Sequence, residues 1–133
     1  MHNIWIADDD EAIRLVLEES LSSAGFKTKS FSSGDDLVSE LESSEPDLII
    51  TDVQMPGMLG YDLLKHITNN YEDLPVIVMT AFADMQAAVE SFGGGAFEYI
   101  PKPFDLEDAL KIIERALEEK PKTKGLKKES KLD

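Results

Sequence analysis

Five times along this chain a short apolar run gives way to a segment of helical period, and that alternation restricts the fold more than any other feature. Asn3–Ala7 is a short apolar run, as a strand covered on both faces requires. A helix is expected from about Glu11, with Ile13, Val16, Leu17, Leu21 and Ala24 on one face and Gly25 closing it. A second strand falls near Lys27–Phe31, and a second helix turns Leu37, Val38 and Leu41 inward. Leu48–Thr51 is apolar throughout and reads as a central strand. A third helix is expected near Gly60–Asn69, a fourth strand at Val76–Thr80 after Pro75, and a fourth helix at about Asp84–Phe92. Gly93-Gly94-Gly95 breaks that helix. The last strand is expected at Ala96–Ile100. The last helix follows Pro103 with Asp105 as N-cap, turns Leu106, Ala109, Leu110, Ile113, Ala116 and Leu117 inward, and ends at Pro121.

Strands and helices in strict alternation imply βαβ units on a parallel sheet. Right-handed crossovers leave few topologies, and the expectation is an α/β, flavodoxin-like (βα)5 doubly wound sheet with strand order 2-1-3-4-5. The chain has 133 residues, enough for one domain. Residues 1–119 form the expected domain, and residues 120–133 a lysine-rich flexible tail or the start of a linker. That tail holds six lysines against Glu129 and Asp133, a balance of +4. The whole chain is at −14, so the first 119 residues carry −18. A body of that charge repels phosphate backbones, and no direct nucleic-acid binding is expected of it. Cysteine is absent, which excludes disulfides and thiol chemistry. No apolar run approaches the roughly 20 residues that span a bilayer, and the N-terminus lacks the basic region of a signal peptide. A soluble, cytoplasmic protein without membrane contact is expected.

In such a fold, functional groups stand outside the carboxyl ends of the strands. Strand 1 ends in Asp8-Asp9-Asp10, strand 3 in Asp52, strand 4 in Thr80, and strand 5 leads to Lys102-Pro103. Strands 1, 3, 4 and 5 are neighbours, so these groups converge. Two carboxylates about 4 Å apart repel by roughly 4 kcal/mol at an effective dielectric of about 20. Protons or a cation must offset that repulsion. Aspartate oxygens suit Mg²⁺, which takes one or two carboxylates and phosphate oxygens while keeping several waters. A lysine ammonium and a threonine hydroxyl suit the remaining oxygens of a phosphoryl group. The sum is a site for phosphoryl transfer to a carboxylate. Singly, each residue has a plainer reading. Asp10 reads as the N-cap of the first helix, Asp52 as a turn former before Pro56-Gly57, Thr80 as a strand residue and Lys102 as a surface charge. Four unrelated needs would have to coincide at four adjacent strand ends.

Asp8-Asp9, Asp52-Val53-Gln54-Met55-Pro56-Gly57, Thr80-Ala81 and Lys102-Pro103-Phe104 together resemble the response-regulator receiver domains of two-component signalling. The resemblance covers about residues 3–119. Val76–Ala81 and Gly95–Asp105 are most similar to the nitrogen-regulation (NtrC-type) branch, whose members usually continue into an ATPase and a DNA-binding domain and activate sigma-54 transcription. The resemblance implies that Asp52 is the phospho-acceptor, with a sensor histidine kinase as donor. It implies that Asp9, Asp8, Asp52 and the backbone carbonyl of Gln54 hold Mg²⁺ (or Mn²⁺). Thr80 and Lys102 would contact the phosphoryl group, and Tyr99 would change rotamer as Thr80 moves. A cis Lys102–Pro103 bond is also implied. So is homodimerisation on phosphorylation, through helix 4, strand 5 and helix 5. Leu59 departs from the pattern, where an acid is usual.

A haloacid-dehalogenase-like phosphatase is the main rival, since Asp8-Asp9-Asp10 has the spacing of a nucleophile and its general acid. It would make Asp52 redundant, and the chain leaves no room for a cap domain. An interaction module that is never phosphorylated is the second rival. The expected protein is a phospho-acceptor switch rather than an enzyme, with slow autodephosphorylation.

Overall fold

The computed structural model describes residues 2–53, 60–92 and 95–132, without the side chains of residues 60–61, 91–92 and 120–132. The elements run β1 (Asn3–Ala7), α1 (Glu11–Ser23), β2 (Lys27–Phe31), α2 (Gly34–Leu41), β3 (Leu48–Asp52), α3 (Gly60–Asn70), β4 (Val76–Ala81), a 3₁₀ turn (Phe82–Asp84), α4 (Met85–Phe92), β5 (Glu98–Lys102) and α5 (Leu106–Leu132). Among the described residues the sheet has five strands in the order β2-β1-β3-β4-β5. Every pairing is parallel. This is the flavodoxin-like order that the alternation predicts.

The sheet is covered on both faces. On one, Ile4, Ile6, Ile50, Ile77 and Met79 meet Leu17 and Leu21 of α1 and Ala109, Ile113 and Leu117 of α5. On the other, Trp5, Ile49, Val76 and Val78 meet Leu37 and Leu41 of α2, Leu63, Leu64 and Ile67 of α3, and Ala88 of α4. Alternate residues of each central strand feed opposite cores, which is why β1, β3 and β4 read as unbroken apolar runs. Full burial of one such large side chain contributes about 1.5–3 kcal/mol. At the edge, β2 exposes Lys27 and Lys29, charges that discourage pairing with another strand.

The helix ends follow local chemistry. Asp10 caps α1, its carboxylate accepting from the backbone N–H groups of Ala12 and Ile13. Ser33 caps α2, and Asp105 caps α5 through the N–H groups of Glu107 and Asp108. Gly25 follows α1 with φ +95, a conformation that a side chain would strain.

Three expectations need correction. Val16 is 46% exposed and Ala24, just past the helix, is exposed as well, because α1 buries a narrow stripe through Leu17 and Leu21. β5 lies two residues further on than Ala96–Ile100 and runs through Pro101. An edge strand tolerates a proline, having one side without ladder partners. α5 does not end at Pro121 but continues to Leu132. Proline removes one ladder bond and can kink a helix without stopping it, and the lysine, glutamate and leucine that follow are good helix formers.

Candidate functional site

Parallel strands bring their carboxyl ends to one rim, and four of them deliver the polar groups there. Asp8 directly follows β1, Asp52 closes β3, Thr80 is the penultimate residue of β4, and Lys102 closes β5. Register sets their heights: Asp52 pairs with Met79, one residue before Thr80, and Ala81 pairs with Lys102.

Asp8 is fully buried. Its Oδ1 accepts from the Asp10 backbone N–H at 2.9 Å and its Oδ2 from Lys102 Nζ at 2.8 Å. Lys102 also donates to Asp52 Oδ2 at 3.1 Å, so one ammonium bridges two carboxylates from different strands. Asp52 is half-buried. Its Oδ1 accepts from the Val53 N–H at 2.6 Å, while Thr51 Oγ1 donates to the Asp52 carbonyl at 2.9 Å. Asp9 stands exposed beside them. One carboxylate oxygen from each of Asp8, Asp9 and Asp52 lies within 4.8 Å of the others. Three hard anionic oxygens so close fit a small divalent cation. The Lys102–Pro103 peptide is cis.

The electrostatics agree with that geometry. Burial pushes the Asp8 carboxyl above the ordinary aspartate range, against the contacts with Lys102 and the Asp10 N–H that pull it down. Burial alone would lower the Lys102 ammonium, but Asp8 and Asp52 outweigh it and hold the lysine above its usual value. A firmly protonated Lys102 therefore ties Asp8 to Asp52.

Asp8, Asp9, Asp52 and Lys102 come together as the strand-end argument expects, and Thr80 stands on the same rim, 3% exposed. Tyr99, half-buried on β5, packs against the core on the α4 side. Gln54, with the Met55-Pro56-Gly57 turn and Leu59, lies outside the described residues, as do Gly93 and Gly94. Asp10 is engaged in capping α1. Sequence reasoning passed over Arg14, whose Nη1 donates to the Asp8 backbone carbonyl at 2.6 Å. A signal was available: a cation near the start of a helix opposes the helix dipole, so its place beside three aspartates needs a reason.

A doubly wound parallel sheet with three carboxylates and one bridging ammonium at its carboxyl rim defines a class, the single α/β domain with an acidic cation pocket. Within that class, the chain belongs to the response regulator receiver domain family, whose model matches residues 4–114. Members of this family are phospho-acceptor switches. Over 114 residues the chain is 46% identical to the DNA-binding transcriptional regulator NtrC of Salmonella typhimurium, covering 86% of this chain and 24% of that protein. The chain thus spans about a quarter of the length of such relatives. The solution structure of the apo receiver domain of nitrogen regulatory protein C superposes with a TM-score of 0.81 at 44% identity, covering 89% of this chain and 95% of the other. The response regulator TrrA of Thermotoga maritima, solved in complex with Mg²⁺-BeF, gives 0.79 at 27% identity over 87% of this chain and 99% of that one. No helix of the described residues is long and apolar enough to cross a membrane.

Proposed function

We propose that this chain is a phosphorylation switch in which Asp52 accepts one phosphoryl group from a phosphohistidine of a sensor kinase, with Mg²⁺ or Mn²⁺ as cofactor. The observation that carries this reading is the gathering of Asp8, Asp9 and Asp52 oxygens within 4.8 Å, with Lys102 bound to two of them. Asp52 is favoured over Asp8 as nucleophile by access: both carboxylates accept two hydrogen bonds, but Asp8 is fully buried whereas Asp52 is half-buried. In the transfer, an Asp52 carboxylate oxygen attacks phosphorus. A P–O bond forms, the P–N bond breaks, and its electron pair stays on the leaving imidazole. Lys102 and Thr80 would hold the equatorial oxygens. Asp8, Asp9, Asp52 and the Gln54 carbonyl would hold the cation, which would supply positive charge against the charge developing on the phosphoryl oxygens. That the similar response regulator TrrA was solved in complex with Mg²⁺-BeF supports this reading.

The phosphoryl group exists in one state only, so its contacts with Thr80 and Lys102 bias the domain toward that state. Tyr99 would follow Thr80 and carry the change to α4. That face has apolar surface for a partner, since Phe82 is 76% and Val89 43% exposed. Dimerisation through α4, β5 and α5 would relay the signal to sigma-54-type transcription, through domains outside this chain, in the cytoplasm. Residues 1–119 would act as the switch and residues 120–133 as the connection.

The rival phosphatase reading needs Asp10 as a general acid, and Asp10 is engaged in capping α1. The test is intact mass after incubation with acetyl phosphate and Mg²⁺, for this protein and for Asp52→Asn. One added phosphoryl that needs Mg²⁺ and is lost in the variant is the expected result. Addition that survives Asp52→Asn would move the nucleophile to the Asp8–Asp10 run, and no addition on either protein would leave an interaction module.

A further inference from the structure

The loop carrying the acidic residues is fixed at more points than a solvated turn needs. The Asp8 N–H donates to the Phe31 carbonyl at 3.1 Å. The Asp10 N–H donates to the Asp8 carboxylate, and Asp10 caps α1. The Asp8 carbonyl receives Arg14 Nη1 across 2.6 Å, six residues along the chain. That carbonyl belongs to the peptide joining Asp8 to Asp9. Whatever orients this peptide sets the direction in which the Asp9 side chain leaves the backbone, and hence its distance from Asp8 and Asp52. A charge-assisted bond this short holds firmly, and the planar guanidinium loses little freedom in making it.

We infer that Arg14 is a positioning residue of the cation site, acting through the Asp8–Asp9 peptide rather than by touching the cation or the phosphoryl group. The inference rests on the metal-site reading above and goes beyond it, since no ligand role is given to Arg14. If Arg14 acted only as a nearby positive charge, it would compete with the cation, and removing it would tighten Mg²⁺ binding. If it fixes the peptide, removing it weakens Mg²⁺ binding, because the site must then be ordered as the ion arrives. The two roles predict opposite signs.

The experiment is calorimetric titration of Mg²⁺ into the whole 133-residue chain, for the wild type, Arg14→Met and Arg14→Lys. Thermal midpoints in chelator establish that each variant is folded. Arg14→Met keeps length while removing charge and donors, and a loss of affinity of about tenfold is expected. Arg14→Lys retains a donor and should recover part of it. In an Asp9→Asn background the effect of Arg14→Met should shrink markedly, because the residue through which it acts is gone. Unchanged or tighter Mg²⁺ binding in Arg14→Met overturns the inference, as does full additivity with Asp9→Asn. If Arg14→Met fails to fold, Arg14→Lys decides: wild-type affinity there overturns the inference. A wild-type chain that binds no Mg²⁺ overturns the metal-site reading and this inference together, so the two failures are distinguishable.

Discussion

Lys102 Nζ donates to Asp8 Oδ2 across 2.8 Å, joining residues 94 apart in sequence, and the same ammonium reaches Asp52 at 3.1 Å. Before any cation arrives, Lys102 is what keeps two carboxylates tolerable side by side. Removing it as Lys102→Met leaves a buried carboxylate uncompensated. Such a loss costs roughly 3–5 kcal/mol when the group left behind stays charged, and less here because Asp8 can take up a proton instead. Denaturant unfolding in chelator should show the variant less stable. Mg²⁺ should raise its midpoint more than it raises that of the wild type, since a cation restores the missing charge. Equal responses to Mg²⁺ in the two proteins would refute the compensating role of Lys102.

Metal and fold are linked through the same oxygens. A ligand at about 100 times its Kd that binds only the folded state adds about 2.7 kcal/mol of stability. Mg²⁺ should therefore raise the thermal midpoint in a concentration-dependent way, and chelator should reverse the rise. Asp9→Asn should remove most of it while leaving the metal-free midpoint nearly unchanged, because Asp9 is exposed. Calorimetry of the wild type and Asp9→Asn with and without Mg²⁺ checks this. A shift retained in Asp9→Asn would show that the ion binds elsewhere.

Much of the fold was legible, because a parallel sheet covered on both faces leaves continuous apolar strands that periodicity detects. The site was legible for the same reason: Asp8, Asp52, Thr80 and Lys102 stand where strands end, and topology alone brings strand ends together. What escaped was context. The expected last strand stops at Ile100, yet Pro101 lies within β5, where an edge position accepts it. Val16 fits the helical period of Leu17 and Leu21, but the buried stripe of α1 is too narrow to include it. Arg14 escaped because a bond from a guanidinium to a backbone carbonyl leaves no pattern of residue types.

Asp10 separates capping from chemistry. Its carboxylate accepts the Ala12 N–H at 2.9 Å and the Ile13 N–H at 3.4 Å. Asp10→Ala should cost about 1 kcal/mol in stability, the usual loss for a helix N-cap. Phosphoryl uptake from acetyl phosphate should persist, since the backbone N–H of residue 10 still meets Asp8. Unfolding curves and intact mass on the same preparation read both effects. A variant of normal stability that no longer takes up phosphoryl would reverse the assignment and return Asp10 to the reaction.

Tyr99 gives a pH dependence of its own. Burial pushes its phenol above the ordinary tyrosine range, whose unperturbed value is about 10. With the folded value above the unfolded one, the native state holds its proton longer. The resulting stability is fully present below the unfolded value and is lost as pH rises through the folded one. In a spectrophotometric titration, the component that disappears in Tyr99→Phe should be the one ionising above free tyrosine. The wild type should also lose stability more steeply than Tyr99→Phe across that alkaline window. Titration of Tyr99 at the free-phenol value would mean that water reaches its hydroxyl. The packing of the ring against the α4-side core would then be too loose to relay movement of Thr80.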